Sequence, residues 1–169
     1  VKEYYDTRAP EYDEWYRRLG RFDGFERPHW DDELVALEVT GLDQSERMLA
    51  IARERMPAGH FVRGDALELP FPEDSFDRVF TGHFYGHLHG PQREEFLAEA
   101  RRVAPQLVVV DTARRPDRQP VEHRQRRVLN SGRRFEVYKR YFTAAQLADE
   151  LGGGSVLHEG RWFVMVTSP

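Results

Sequence analysis

Two carboxylates stand where short apolar runs give way to turns: Asp43 after Glu38-Val39-Thr40-Gly41-Leu42, and Asp65 after His60-Phe61-Val62-Arg63-Gly64. An ionised carboxylate is a pure acceptor with two oxygens, so it can take both hydroxyls of a ribose or the amino group of a base. Two such acids at neighbouring strand ends could therefore hold a nucleoside. Either Asp alone reads more simply as a turn or cap residue, so the pairing carries the functional reading. A second set of reactive groups follows Phe76-Asp77-Arg78-Val79-Phe80-Thr81, in the run Gly82-His83-Phe84-Tyr85-Gly86-His87-Leu88-His89-Gly90. Histidine is the natural general base near neutral pH, which makes His83 and His87 the candidate bases, with hydrogen bonding inside the loop as the plainer role. A metal site on His83, His87 and His89 is the poorer reading, because no carboxylate at ligand spacing completes it.

The elements that must position these groups can be read from spacing. Residues 38–43 read as a buried strand, and Ser45 then caps a helix in which Met48, Leu49, Ile51 and Ala52 recur at helical spacing. Pro57-Ala58-Gly59 ends that helix, and residues 60–66 form a short strand closing on Gly64-Asp65. Residues 67–75 are turn-rich and 76–81 a strand. Residues 91–104 form a helix that starts at Pro91, buries Phe96, Leu97, Ala100 and Val103, and stops at Pro105. Leu107-Val108-Val109-Val110-Asp111 is apolar up to its final acid, as expected of a strand covered on both faces. Thr143 caps a helix over 144–151 that Gly152-Gly153-Gly154 ends, and 155–158 with 162–166 form a closing hairpin. This alternation predicts an α/β fold: a mostly parallel sheet, helices on both faces and an antiparallel hairpin at the C-terminus.

Residues 1–37 are rich in aromatic and charged side chains. Tyr5, Ala9, Tyr12, Trp15, Tyr16 and Leu19 approach helical spacing around Pro10, and a second helix starts near Trp30 and runs to Leu37. The join from Leu37 to Glu38 is abnormal. A helix there passes into a strand with no turn residue, where such connections usually take about 2 to 6 residues.

Charge and composition narrow the partners. With 25 basic against 29 acidic residues, bulk electrostatics give no reason to expect tight binding to nucleic acid or to an anionic membrane. The absence of cysteine excludes disulfides and thiolate chemistry. A polar N-terminus and the lack of any long apolar run make a cytoplasmic protein the expectation. The exception to the acidic balance is 114–140, with ten Arg or Lys against three acids, which reads as a solvated helix or flap before it reads as an anion-binding surface.

The motifs together are specific where each alone is not. The run from Val39 to Leu49, then Gly64-Asp65-Ala66, Leu69-Pro70-Phe71, Phe76-Asp77-Arg78-Val79, Arg102-Val103 and Leu107 to Asp111, resembles the class I S-adenosylmethionine-dependent methyltransferases. It is similar to their small ubiquinone/menaquinone-biosynthesis-like (type 11) group. Tyr4-Tyr5-Asp6-Thr7-Arg8-Ala9-Pro10-Glu11-Tyr12-Asp13 resembles that group's N-terminal lid. The resemblance implies a Rossmann-like single domain over 1–169, with lid helices in 1–37, a cofactor core in 38–111, a basic substrate-side insertion in 112–142, and a C-terminal helix and hairpin in 143–169.

It also implies roles. Asp43 would take the ribose hydroxyls of S-adenosylmethionine, with Gln44 and Met48 beside the adenosine. Asp65, with Gly64 before it, would accept from the adenine amino group while the Ala66 amide meets a ring nitrogen, and Thr81, Gly82 and His83 would line the methionine end. A small-molecule acceptor, planar or anionic, is expected beside Tyr5, Tyr12, Tyr85, Arg114, Arg133 and Tyr138. Methyl transfer from a sulfonium is mostly alignment in a dry site, with a base needed only where the acceptor must lose a proton. The family places a first strand and a glycine-rich loop before the Asp43 strand, at the centre of the sheet. This sequence has none, so a segment is expected to have been left out between Leu37 and Glu38. The alternatives are a nucleic-acid-binding or RNA-modifying protein using 114–140, and a non-catalytic nucleoside-binding module.

Overall fold

The computed structural model describes residues 2–11, 38–115, 117 and 120–169. Tyr12, the aromatic residues up to Leu19, the helix expected at Trp30 and the Leu37–Glu38 join lie outside the described residues. The chain divides into two compact units, one of Val1–Asp65 with Val128–Arg134, the other of Ala66–Arg127 with Phe135–Pro169.

In the first unit, α1 (Lys2–Arg8) runs into a 3-10 turn (Ala9–Glu11) at Pro10. Strand β1 (Thr40–Asp43) leads through Ser45 into α2 (Glu46–Arg55) and then β2 (His60–Arg63). The Ser45 hydroxyl accepts the Met48 N–H at 3.3 Å, the cap expected from its position, and Leu49 is buried beneath the helix. The two strands are parallel, with Gly41 opposite Phe61 and Asp43 opposite Arg63. A Cβ on Gly41 would lie 2.6 Å from the Phe61 ring and one on Gly59 2.8 Å from it, so these glycines make room for the aromatic side chain. Strand β1 is half-buried throughout rather than buried, because β2 is its one partner among the described strands. Helix α1 packs on α2, where Arg47 donates to the Asp6 carbonyl at 3.2 Å. It also meets the 128–134 turn, where Arg133 pairs with Glu3 at 2.6 Å and the Asn130 N–H donates to Glu11 at 2.6 Å.

The second unit is built on β3 (Arg78–Gly82), β4 (Gln106–Thr112), β7 (Ser155–Glu159) and β8 (Phe163–Thr167), in the order β3-β4-β8-β7. Strands β3 and β4 are parallel, while β8 is antiparallel to both β4 and β7, as the closing hairpin predicted. Helix α3 (Gly90–Val103) buries Phe96, Leu97, Ala100 and Val103. Helix α4 (Ala144–Glu150) packs on β7 and β8 behind a Thr143–Gln146 capping box. The core gathers Tyr85, Phe96, Leu107, Val109, Phe142, Leu147, Val164 and Val166.

The described residues of the basic segment form strands rather than a helix. Strands β5 (Glu122–Val128) and β6 (Arg134–Arg140) pair in their own two-stranded sheet. Alternation along β5 exposes Glu122, Arg124, Arg126 and Val128 and draws His123, Gln125 and Arg127 inward. Strands β1 and β3 belong to separate sheets. Among the described residues no helix is long and apolar enough to cross a membrane.

Candidate functional site

Asp43 closes β1 at its carboxyl end, the edge at which open α/β sheets bind ligands. Its Oδ1 accepts the Ser45 N–H at 2.7 Å, which fixes the carboxylate at the head of α2. Burial pushes this carboxyl above its ordinary range, the Ser45 N–H pulls the other way, and the charge of Asp6 adds to the rise. Asp6 itself is held low by hydrogen bonds from Ser45 and Lys2. The Gly64 N–H donates to the Asp43 carbonyl at 3.2 Å, extending the β1–β2 ladder, so that Asp65 is the first residue past the paired strand ends. The two acids expected to act together thus sit at the ends of two adjacent parallel strands. Gln44 and Asp65 are exposed, while Met48 and Gly64 are half-buried. An open cleft of about 390 Å³ in this unit is lined by Lys2, Asp6, Thr7, Glu46, Arg47, Arg63 and Arg133. Tyr5 is half-buried on α1, with its ring centroid 5.0 Å from that of Tyr4.

In the second unit, Ala66 packs against the core, Thr81 is buried and Gly82 exposed at the end of β3. His83 follows with φ 57°, a left-handed conformation that a side chain beyond glycine rarely adopts, and its N–H donates to the Val110 carbonyl at 2.8 Å. The neighbouring strand ends in Asp111, which is fully buried and ion-paired with Lys139. Burial alone would push the Asp111 carboxyl up. Lys139, its neighbour His83 and the Gly86 N–H, 2.7 Å from Oδ2, together overcome it and hold the group below the carboxylate range. Gly86 is required there, since a Cβ would stand 2.6 Å from the Arg140 carbonyl and 2.8 Å from Lys139 Nζ.

His87 is buried, and its Nδ1 lies 2.7 Å from the Tyr138 carbonyl. A carbonyl only accepts, so Nδ1 carries the proton and Nε2 the lone pair. Burial, then the charge of Lys139, pushes His87 down to about 3, so it stays neutral and is a poor proton acceptor. Tyr85 is 1% exposed and its hydroxyl donates to Glu150 at 3.1 Å, which places it in the core. Burial and Glu150 push its phenol above the ordinary range. The Tyr138 hydroxyl donates to Glu122 at 2.7 Å, and its ring lies 3.9 Å from that of His89. The Arg114 N–H donates to the Phe142 carbonyl at 2.7 Å, while its buried Nε has no hydrogen-bond partner.

Asp43, Gln44, Met48, Gly64, Asp65 and Tyr5 therefore belong to the first unit, and Ala66, Thr81, Gly82, His83, Tyr85, His87, Arg114 and Tyr138 to the second. Sequence reasoning did not single out Asp111, Lys139 or Gly86. The available signal was an acid closing the most apolar strand, since a buried charge must find a partner.

The sequence profile of the Methyltransferase domain family matches residues 29–106. The demethylmenaquinone methyltransferase of Thermotoga maritima is 45% identical over 67 residues, which is 40% of this chain and 28% of that protein. That of Listeria monocytogenes is 40% identical over 83 residues, 44% of this chain and 34% of that protein. The chain thus spans about a third or less of these curated relatives. Among solved structures, the DhpI–SAM–HEP complex is 25% identical with a TM-score of 0.75, covering 98% of this chain and 94% of that one. The DhpI–SAH complex is 26% identical with a TM-score of 0.74, covering 98% and 92%. In the order of its motifs, in its fold and in these likenesses, the chain is similar to S-adenosylmethionine-dependent methyltransferases.

Proposed function

We propose that the protein transfers a methyl group from S-adenosylmethionine to a small-molecule acceptor. The observation that carries this reading is the pair Asp43 and Asp65 at the ends of adjacent parallel strands, tied through the Gly64 N–H and the Asp43 carbonyl at 3.2 Å. The fit to an adenosine is chemical: a half-buried carboxylate with one oxygen held by Ser45 suits a diol, and an exposed acid on the next strand end suits an amino group. Relatives named demethylmenaquinone methyltransferase support a small organic acceptor over a nucleic acid or a purely nucleoside-binding role.

In this reading Asp43 takes the ribose hydroxyls, Gln44 and Met48 flank the adenosine, Asp65 and the Ala66 amide read the base, and Thr81, Gly82 and His83 serve the methionine end. The sulfonium supplies an electrophilic methyl whose departure leaves a neutral thioether, so this chain's own residues need only align the partners and move one proton. His83 takes that proton. His87, kept neutral and weakly basic by burial, holds the 83–89 loop to Tyr138. The test is isothermal calorimetry with S-adenosylhomocysteine on wild type and Asp43→Ala, together with methyl transfer to candidate acceptors. Wild-type binding lost in the variant supports the assignment, and equal binding by both refutes it.

A further inference from the structure

The proton transfer assigned to His83 uses none of the buried polar groups at the end of β4. Asp111 closes the apolar run of that strand and is buried together with its partner, Lys139. Such a pair is a poor source of stability, since apolar side chains of similar volume often do as well or better in its place. What an apolar side chain cannot do is accept hydrogen bonds. Asp111 Oδ2 accepts the Gly86 N–H at 2.7 Å, and Oδ1 accepts the Thr112 N–H at 2.6 Å as well as Lys139. One carboxylate thus joins the loop that follows β3 to β4 and β6.

That loop is held at both ends. Upstream, the His83 N–H donates to the Val110 carbonyl at 2.8 Å, one residue past Gly82, which stands opposite Val110 in the β3–β4 register. Downstream, Gly86 is fixed on Asp111, and His87 Nδ1 on the Tyr138 carbonyl at 2.7 Å. Two consecutive residues of β4, Val110 and Asp111, therefore anchor positions 83 and 86. Phe84 and Tyr85 lie between the anchors, and the Tyr85 side chain is buried with its hydroxyl on Glu150. Gly86 sits so close that a Cβ there would stand 3.0 Å from Asp111 Oδ1. Within this frame His83 has φ 57°, a conformation that costs a residue with a side chain energy and persists where its surroundings over-determine it.

We infer that Asp111, held by Lys139, is a positioning residue for His83: by fixing Gly86 it keeps the 83–86 segment in the strained form that sets the imidazole at the carboxyl end of β3. The role of His83 as base rests on the methyl-transfer reading; the control of its backbone by Asp111 does not. The ion pair is then retained for the hydrogen bond it delivers to the loop, with Lys139 supplying the charge that keeps the carboxylate in place.

The experiment compares the full-length wild type with two double variants that both remove the buried charges. Asp111→Asn/Lys139→Gln keeps an oxygen for the Gly86 N–H, and Asp111→Leu/Lys139→Met does not. NMR without methyl donor or acceptor follows the backbone shifts of His83, which report its left-handed conformation, and hydrogen exchange at the Gly86 amide. The wild type and the Asn/Gln variant should show a left-handed His83 and a slowly exchanging Gly86 amide. The Leu/Met variant should lose the left-handed signature and exchange at Gly86 at least about tenfold faster. On any acceptor that the wild type methylates, turnover should fall by about tenfold or more in the Leu/Met variant and be kept in the Asn/Gln variant. A left-handed His83 in the folded Leu/Met variant overturns the inference, as does its loss in both variants alike. A wild-type Gly86 amide that exchanges as fast as an open loop overturns it with no variant needed, so the test stands even if a double variant fails to fold. Because the NMR measurements need no cofactor, a failure here is separate from a failure of S-adenosylhomocysteine binding.

Discussion

The Asp111 carboxylate and the Lys139 ammonium form an ion pair whose side chains are 0% and 4% exposed, with the Gly86 N–H as a third partner. Removing one member leaves an uncompensated charge in the core of the second unit, which costs roughly 3–5 kcal/mol. Lys139→Met should lower stability to urea by about that amount, and a compensating Asp111→Leu should recover most of it. Gly86→Ala should destabilise to a comparable degree, because its Cβ would press on the Arg140 carbonyl and on Lys139. Equal stability of Lys139→Met and wild type would contradict the burial of the pair.

His87 makes stability depend on acid. Its folded pKa, pushed down to about 3, lies below the unfolded value of 6.5, so between those values the unfolded chain binds more protons. Stability is then complete above pH about 6.5 and falls as pH drops, with a slope from this group approaching 1.4 kcal/mol per pH unit. His87→Gln, whose amide can still donate to the Tyr138 carbonyl, should flatten that slope in urea melts between pH 6 and 4. An unchanged slope would remove His87 as its cause.

Binding of the methyl donor should also respond to pH, through Asp43. Burial raises this carboxyl, so it protonates at a higher pH than an ordinary aspartate and loses its capacity as a double acceptor there. Affinity for S-adenosylhomocysteine should fall on acidification through that raised pKa, and Asp43→Asn should be weaker at neutral pH by about tenfold and lack the acid dependence. A variant that keeps the wild-type pH profile would transfer the effect to another group.

His83→Asn separates chemistry from binding. Asparagine tolerates the left-handed backbone that His83 adopts, so the loop should survive the change. Turnover should fall by about a hundredfold or more while S-adenosylhomocysteine affinity stays within about twofold. Retained turnover would end the assignment of His83 as base.

Local signals made most of the fold legible. Ser45 and Thr143 announce their helices through side-chain caps, and the spacing of Phe96, Leu97, Ala100 and Val103 marks the buried face of α3, because both features are decided within one or two turns. The place of Asp43 at the end of β1 was legible for the same reason, whereas β2 ends at Arg63, two residues before Asp65. The 122–140 strands were not, since Arg and Lys at successive positions hide an alternation whose inner face is satisfied by a partner 28 residues away, Lys139 on Asp111. The role of His87 depends likewise on the Tyr138 carbonyl, 51 residues on.

The join at Leu37 can be tested chemically. We propose that a glycine-rich segment stands between Leu37 and Glu38 in the full-length protein, as the resemblance to class I methyltransferases implies. Mass mapping of proteolytic peptides from the full-length protein should yield no peptide that runs directly from Leu37 to Glu38, and finding one would show the segment to be truly deleted.

Calorimetric titration of the full-length protein with S-adenosylmethionine tests methyl-donor binding most directly. A saturable one-to-one isotherm that Asp43→Ala abolishes is the predicted result; the absence of binding by the wild type would contradict the proposed function.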